Sequence, residues 1–218
     1  MIDYILDSTL VPTFSKNKPQ QLIVLCHGYG GDGKDISSLA INWQRFLPNA
    51  IFLCPNAPEV CTINPHGFQW FDLSSEKEEI ILEKSLIAEA KLSMFLDQVL
   101  DNHQLEPINL ALVGFSQGCM ISAQVGLKKK KQINCILGYS GKIINQKHLS
   151  ENVNSKPKIF LMHGANDTIV SPTCLLEAKE YLTNVGLKVK IKMFKNCEHR
   201  IPIEGSSLGL AFLKKNLL

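Results

Sequence analysis

The sequence predicts an α/β protein with a mostly parallel central sheet and helices on both faces. Three observations support this prediction. Short apolar runs of strand length alternate with longer stretches in which apolar residues recur every three or four positions. A G-x-S-x-G turn joins one such run, residues 108–113, to a helical stretch, residues 119–127. Polar residues directly follow several runs, at the edge where the loops of a parallel sheet converge. Strands that alternate with helices form parallel sheets covered on both faces.

Length and charge indicate one packed globular unit. The chain has 218 residues, 45% of them hydrophobic, so we expect a single domain over residues 1–218. The formal net charge of +3 is too small to indicate a nucleic-acid partner. The basic run at residues 128–131 falls where a helix is expected to end. It is interpreted as a solvated helix terminus, with an anion-binding patch as the alternative.

The cysteines and the first residues indicate a cytoplasmic protein. The seven cysteines are an odd number without C-x-x-C spacing, and several lie in apolar runs, so we expect reduced thiols. Residues 1–14 contain no basic segment before an apolar core, so no secretory signal is expected. No apolar run approaches the roughly 18 residues of a membrane span, and we expect no transmembrane segment.

The first half of the chain predicts two strands, a helix and a loop. Residues 22–26 and 50–55 are apolar runs, and residues 37–47 have helical spacing. The glycine-rich loop at residues 27–33 fits neither phosphate-binding pattern, which disfavours a nucleotide site. Residues 56–75 are predicted as an irregular loop whose aromatic residues either line a substrate pocket or pin the loop to the core. The pocket candidates are Phe68, Trp70, Phe71 and Leu73.

The second half continues the alternation of strands and helices. The predicted strands are residues 108–113, 133–138, 158–162 and 188–194, and the predicted helices are residues 76–102, 119–127, 174–185 and a last one from about residue 206. Residues 76–102 have the spacing of a long amphipathic helix. Residues 188–194 alternate lysine with apolar residues, which is typical of a strand at the side of a sheet.

The turn at residues 114–118 carries the strongest functional signal. A chain that reverses from strand to helix within one residue leaves no room for side chains two positions either side of the apex, and Gly114 and Gly118 occupy those positions. The apex residue, Ser116, is expected to have a strained backbone and to project above the sheet. The free N–H groups of the helix N-terminus lie beneath it. Ser116 is therefore a candidate nucleophile.

A candidate acid and base follow the serine in the order that this turn requires. Asp167 and His199 each come after a strand-like run, and the order serine, aspartate, histidine is the expected one. His27 and His163 also follow strands, but their chain order is wrong, so they are expected to be structural loop histidines. Glu198 is a poorer orienting acid than Asp167, because adjacent residues of a chain rarely face each other.

No metal or organic cofactor is expected. His66, His103 and His148 do not have the spacing of metal ligands. Cys119 and Cys197 lie near the predicted site and are interpreted as packing thiols. A reactive Cys197 is the alternative if its thiol is exposed.

These residues resemble the α/β-hydrolase fold, and within it the small carboxylesterases grouped with acyl-protein thioesterases and lysophospholipases. The resemblance extends over nearly the whole chain. Its motifs are His27-Gly28-Tyr29-Gly30, Trp70-Phe71-Asp72, Gly114-Phe115-Ser116-Gln117-Gly118, Tyr139-Ser140-Gly141, His163-Gly164 with Asp167 and Val170, and His199. It implies an α/β-hydrolase fold and a serine hydrolase that cleaves carboxylic esters or thioesters of short to medium acyl chains through an acyl-enzyme.

The residue types fit the mechanism that the resemblance implies. A neutral serine hydroxyl is a poor nucleophile and needs a base that titrates near neutrality, as histidine does. Asp167 is expected to hold His199 in the useful tautomer and to stabilise the imidazolium as Ser116 attacks. The backbone N–H groups of Tyr29 and Gln117 are expected to form the oxyanion hole.

The natural substrate remains open. The expected partner is a small-molecule or lipid-like ester or thioester, with an acylated protein as an alternative. General carboxylesterase, lysophospholipase and acyl-protein thioesterase are not separated, nor are monomer and homodimer. A non-enzymatic alternative is a binding protein on a hydrolase scaffold, which usually lacks a triad member, whereas all three are present here.

Overall fold

The computed structural model describes residues 4–73 and 77–218. The strands of this part of the chain are β1 (Ser8–Val11), β2 (Gln21–Cys26), β3 (Ala50–Pro55), β4 (Glu59–Val60), β5 (Phe68–Gln69), β6 (Leu110–Phe115), β7 (Cys135–Tyr139), β8 (Lys158–Gly164) and β9 (Val189–Phe194). The helices are α1 (Gly33–Trp43), α2 (Glu78–His103), α3 (Gln117–Lys128), α4 (Gln146–Asn152), α5 (Thr173–Asn184) and α6 (Ile203–Leu217), with short 3-10 helices at Gln44–Phe46 and Pro107–Asn109.

One sheet of seven strands organises the described residues. Its order is β1-β3-β2-β6-β7-β8-β9, and every neighbouring pair is parallel except the antiparallel pair β1 and β3. From β2 the chain first proceeds to β3 on one side, and from β6 it proceeds to β9 on the other. β2 and β6 are adjacent, and Cys26 at the end of β2 pairs with Gly114 near the end of β6. The loops that follow these two strands therefore leave the sheet in opposite directions. Such a reversal point opens a crevice at the carboxyl ends of the strands.

Two hydrophobic layers cover the two faces of this sheet. Successive strand residues point to opposite faces, so Leu22 packs in the layer that contains Phe95 of α2, whereas Ile23 packs in the layer with Trp43 of α1 and Leu213 of α6. Buried residues of α3 and α5 belong to the first layer. The prediction of a mostly parallel sheet with helices on both faces is confirmed.

The strand β9 lies at the edge of the sheet, as its alternating lysines predicted. The Lys190 Nζ atom lies 4.4 Å from the centroid of the Phe160 ring. The Lys192 Nζ atom lies 5.5 Å from the centroid of the Phe194 ring and 3.0 Å from a carboxylate oxygen of Glu204. The charged ends of both lysines therefore lie over aromatic rings at this edge of the sheet.

Several elements differ from the prediction. β1 and α4 were not predicted, and β4 and β5 pair within the loop expected to be irregular. α1 begins at Gly33 instead of residue 37, because the Asp32 side chain caps it by accepting from the Asp35 amide at 2.7 Å. The predicted helix start at residue 76 and the predicted loop end at residues 74–75 lie outside the described residues.

The basic run at residues 128–131 ends α3. The Lys128 Nζ atom lies 2.6 Å from Glu89 Oε2, and the Lys129 Nζ atom lies 2.5 Å from Asp97 Oδ1. These ion pairs to α2 disfavour an anion-binding patch at Lys128 and Lys129, but the two side chains are only 16% and 10% exposed, so this part of the helix terminus is not solvated as predicted. In the described ranges, no helix has the length and apolar character required to span a membrane.

Candidate active site

Ser116 occupies the apex between β6 and α3 with φ 55° and ψ −118°. A non-glycine residue in such a conformation costs about 1–3 kcal/mol. The two glycines of the turn make it sterically possible. A Cβ atom on Gly114 would overlap the Gly118 carbonyl, and one on Gly118 would overlap the Cys26 carbonyl of β2. The turn is therefore packed directly against the neighbouring strand.

The structure brings Ser116, His199 and Asp167 together at the carboxyl ends of their strands. His199 Nε2 lies 3.0 Å from Ser116 Oγ, and His199 Nδ1 lies 2.7 Å from Asp167 Oδ2. With the proton on Nδ1 donated to the carboxylate, Nε2 is free to accept from the serine hydroxyl. Ser116 and Asp167 are buried and His199 is half-buried. This arrangement can move a proton from the serine to the imidazole.

Asp167 is held in its charged form. Burial by itself raises the pKa of this carboxyl, but hydrogen bonds from the Val170 amide, from His199 and from the Ile169 amide outweigh it and leave the pKa below its usual value. Both amides donate to Asp167 Oδ1 at 2.9 Å. Since Oδ2 faces the histidine, each carboxylate oxygen has a separate set of donors.

His163 is a contact of Asp167 that sequence reasoning missed. Its Nε2 lies 3.2 Å from Asp167 Oδ2 and 3.0 Å from the Val170 carbonyl oxygen, and the ring is buried. The chain order indicated a structural histidine but did not reveal its partner. The available signal was the separation of four residues across a turn after a strand.

His27 also has a structural environment. Its Nε2 accepts from the Ala57 amide at 3.0 Å, and its Nδ1 donates to the Gly28 carbonyl oxygen at 2.7 Å. Burial lowers the pKa of this imidazole, which favours the neutral ring. The Trp70 indole N–H donates to the His27 carbonyl at 3.0 Å. His27 thus fastens the end of β2 to the two segments that follow β3.

The backbone amides of Tyr29 and Gln117 are the predicted oxyanion donors. Gln117 is the first residue of α3, so its N–H has no intrahelical acceptor. Tyr29 follows Gly28, where a Cβ atom would lie 3.3 Å from the Ser116 Cβ atom. Within the described ranges, neither amide donates to another group of the protein. Both are therefore available on the loops that border the serine.

The small hairpin formed by β4 and β5 holds the loop that contains Tyr29. The Gly30 amide donates to the Phe68 carbonyl at 2.9 Å, and the Phe68 amide donates to the Gly31 carbonyl at 2.8 Å. The Tyr29 hydroxyl lies 2.6 Å from Thr62 Oγ1. The conformation of the Tyr29 backbone thus depends on a segment distant in sequence.

Two of the four predicted pocket residues lie in the protein interior. Trp70 and Phe71 are completely buried, whereas Phe68 is half-buried and Leu73 is exposed. The side chain of Gln117 joins the first two to α3, because its Oε1 accepts from the Trp70 amide at 2.8 Å and its Nε2 donates to the Phe71 carbonyl at 2.6 Å. These contacts match the alternative in which the aromatics pin the loop to the core.

A cavity of about 950 Å³ lies beside His199, between α1 and the start of α6. Tyr29, Phe115 and His199 line the end near the serine, and Phe46 lines the far end. The four predicted pocket residues are not among the described residues that line it. This cavity is large enough for a small organic ligand.

The remaining reactive side chains form no second centre in the part of the chain that is described. No group of three or more histidine, cysteine or acidic residues has the arrangement of a metal site there. Burial raises the pKa of Cys119 to about 12, so its thiol is protonated at neutral pH. Cys197 is buried, and its Sγ lies 3.4 Å from the Glu198 carbonyl oxygen.

Known proteins resemble this chain over almost its full length. A family model described as phospholipase/carboxylesterase matches residues 12–217. Acyl-protein thioesterase 1 of Aspergillus fumigatus is 26% identical over 227 residues, which cover 94% of this chain and 91% of that protein. Esterase YpfH of Escherichia coli is 24% identical over 209 residues, which cover 92% and 85%. The crystal structure of esterase PE8 matches with a TM-score of 0.92 at 33% identity and covers 97% of this chain and 99% of that one.

These similarities agree with the sheet described above. The matched family spans the strands that place Ser116, Asp167 and His199 at one edge of the sheet. The chain belongs to the phospholipase/carboxylesterase family of the α/β-hydrolase fold and is a carboxylic ester hydrolase.

Proposed function

We propose that this chain cleaves carboxylic esters or thioesters of short to medium acyl chains through a Ser116–His199–Asp167 triad. The observation that carries the proposal is the continuous hydrogen-bonded path from Ser116 Oγ to His199 at 3.0 Å and from His199 to Asp167 at 2.7 Å. The lowered pKa of Asp167 supports its role, because a charged carboxylate stabilises an imidazolium.

The first half of the reaction forms the acyl-enzyme. Ser116 Oγ attacks the acyl carbon while its proton moves to His199 Nε2. The negative charge that develops on the acyl oxygen is stabilised by the amides of Tyr29 and Gln117. One such donor lowers the barrier by about 2.7–4 kcal/mol in comparable enzymes. His199 then gives the proton to the leaving alcohol or thiol, and the acyl–oxygen or acyl–sulfur bond breaks.

The second half releases the acid. Water takes the place of the leaving group and loses a proton to His199 as it attacks the acyl carbon. The bond to Ser116 Oγ then breaks, and the proton returns to that oxygen. The free enzyme and a carboxylic acid result, and the chain's own residues supply every proton transfer.

A lysophospholipase or an acyl-protein thioesterase is the alternative within the same chemistry. The relatives named acyl-protein thioesterase support the second of these, and the family description phospholipase/carboxylesterase supports the first. We further propose a single domain acting in the cytoplasm as a monomer or homodimer. The seven free cysteines support a reducing compartment.

The test is hydrolysis of p-nitrophenyl esters from acetyl to dodecanoyl by the parent, by Ser116→Ala and by Ser122→Ala. Ser122 is a buried serine of the same helix that takes no part in the proposed chemistry, so it is the matched control. We expect the parent and the control to cleave the esters and Ser116→Ala to lose at least about 10³-fold in kcat. Full activity of a folded Ser116→Ala variant would refute the proposed nucleophile.

A further inference from the structure

The cavity beside His199 continues as a groove along α1. One wall comes from α1 and the 3-10 helix after it, from Asp35 to Phe46, and the other comes from the first half of α6. Eight α-helical steps at about 1.5 Å and three 3-10 steps at about 2.0 Å give this wall a length of roughly 18 Å. The groove is therefore longer than the catalytic residues require, and it extends away from the serine.

The position of His199 indicates which part of a substrate enters this groove. In the proposed reaction His199 Nε2 must pass its proton to the leaving atom, so the leaving group lies on the histidine side of the acyl carbon. His199 itself and the next two residues, Arg200 and Ile201, line the groove. The alcohol or thiol part of the substrate is thus directed into it.

The groove combines apolar surface with unpaired positive charge. Ile203 and Ile41 line it and are 89% and 54% exposed, respectively. Arg45 and Arg200 also line it, and neither guanidinium forms an ion pair with a residue in the described ranges. Asp35 contributes one opposing charge to the lining. A guanidinium without a carboxylate partner is suited to bind an anionic oxygen group.

The far end of the groove adds a second basic feature. The Arg45 guanidinium carbon lies 4.6 Å from the centroid of the Phe46 ring, and the Lys214 Nζ atom lies 6.0 Å from it. Stacking on the ring orders the guanidinium without neutralising its charge. Positive charge therefore borders the groove at both ends, with Arg200 beside the histidine.

We propose that this α1–α6 groove binds the leaving group of the substrate and that Arg45 and Arg200 select esters whose leaving alcohol has an apolar stem bearing a carboxylate or another anionic oxygen group. The inference rests on the proposed function, since it assigns a substrate class to the same site. The chemistry is unchanged: the bond from Ser116 Oγ to the acyl carbon forms, the bond to the leaving oxygen breaks, and His199 returns the proton to that oxygen.

The test compares two acetate esters that differ only in the charge of the leaving group, 4-acetoxybenzoate and 4-acetoxybenzamide. Each kcat/KM is divided by the rate constant for hydroxide-catalysed hydrolysis of the same ester, which removes the difference in intrinsic reactivity. We expect the parent to favour the carboxylate about tenfold. Arg200→Gln, beside the histidine, should reduce this preference about threefold, as expected for an exposed charge pair, and Arg45→Gln should reduce it less, because Arg45 borders the far end of the groove. The preference should also weaken as salt is added.

The control Lys130→Gln removes one positive charge two residues beyond the C-terminal end of α3, outside the groove lining, and should leave the preference unchanged. If the parent hydrolyses both esters equally, or if the double variant Arg45→Gln/Arg200→Gln retains the preference, the groove assignment is wrong while the proposed hydrolase function remains. If the parent cleaves p-nitrophenyl esters but neither of these two esters, the groove assignment is wrong. If it cleaves none of these esters, the proposed function fails, and the inference fails with it.

Discussion

The substitution Gln117→Leu removes two buried hydrogen bonds at once. The Gln117 side chain is completely buried and bonds to the Trp70 amide and the Phe71 carbonyl, whose residues are also completely buried. A buried backbone group left without a partner costs about 1–3 kcal/mol, so the pair costs about 2–6 kcal/mol. The leucine side chain offsets part of this by its apolar burial. We expect the free energy of unfolding to fall by about 3 kcal/mol, which lowers Tm by about 6–12 °C for a chain of this length.

The measurement is urea and thermal unfolding followed by circular dichroism, with Gln124→Leu as the matched control. Gln124 is another completely buried glutamine of α3, but it makes one such bond, from Nε2 to the Ile144 carbonyl at 2.5 Å. Its Oε1 has no hydrogen-bond partner among the described atoms. Gln124→Leu should therefore cost less than half as much. Equal losses in the two variants would mean that the two bonds to residues 70–71 contribute no more to the free energy of unfolding than the single bond of Gln124.

Other substitutions test the site and its packing. Asp167→Asn should lower kcat on p-nitrophenyl acetate by roughly 10⁴-fold. Because folding lowers the pKa of Asp167, its contribution to the free energy of unfolding is complete above about pH 4 and is lost as pH falls through the folded value. Urea titrations between pH 6 and 3 should then show that the free energy of unfolding falls more steeply with decreasing pH for the parent than for Asp167→Asn. An equal pH dependence in the two proteins would contradict this. Gly118→Ala should abolish soluble expression or greatly lower Tm, since its Cβ would overlap the Cys26 carbonyl; a stable, active variant would disprove that packing. Iodoacetamide at pH 8 should alkylate Cys174 before Cys119, because Cys174 is half-buried whereas burial raises the pKa of Cys119 to about 12. Peptide mapping by mass spectrometry would show the order of labelling, and earlier labelling of Cys119 would contradict this prediction.

The sheet was predictable where local sequence and tertiary environment agree. β2, β3, β6 and β8 are buried on both faces, so they read as continuous apolar runs. β1 is four residues long and is defined only by its pairing with β3, and α4 buries only Leu149. Neither leaves a periodic apolar signal. The start of α1 could have been recognised from Asp32, which has the side chain of a common N-cap residue.

For the candidate site, the sequence indicates which residues meet but not how they are supported. Ser116, Asp167 and His199 are marked by their places at the ends of strands and by their order. The contact of His163 with Asp167 and the contact of Gln117 with residues 70–71 depend on how separate segments pack. Pairwise packing of this kind has no periodicity, so a single sequence does not express it.

The edge position of β9 bears on the behaviour of the protein at high concentration. An unpaired edge strand offers its backbone N–H and C=O groups to any other chain, and this is a common route to aggregation. On β9, Lys190 and Lys192 place charge along that edge, and bringing two copies together there would set lysines against lysines. These side chains therefore oppose the growth of the sheet from one molecule into the next. Contact between copies through a shared sheet is consequently disfavoured at this end.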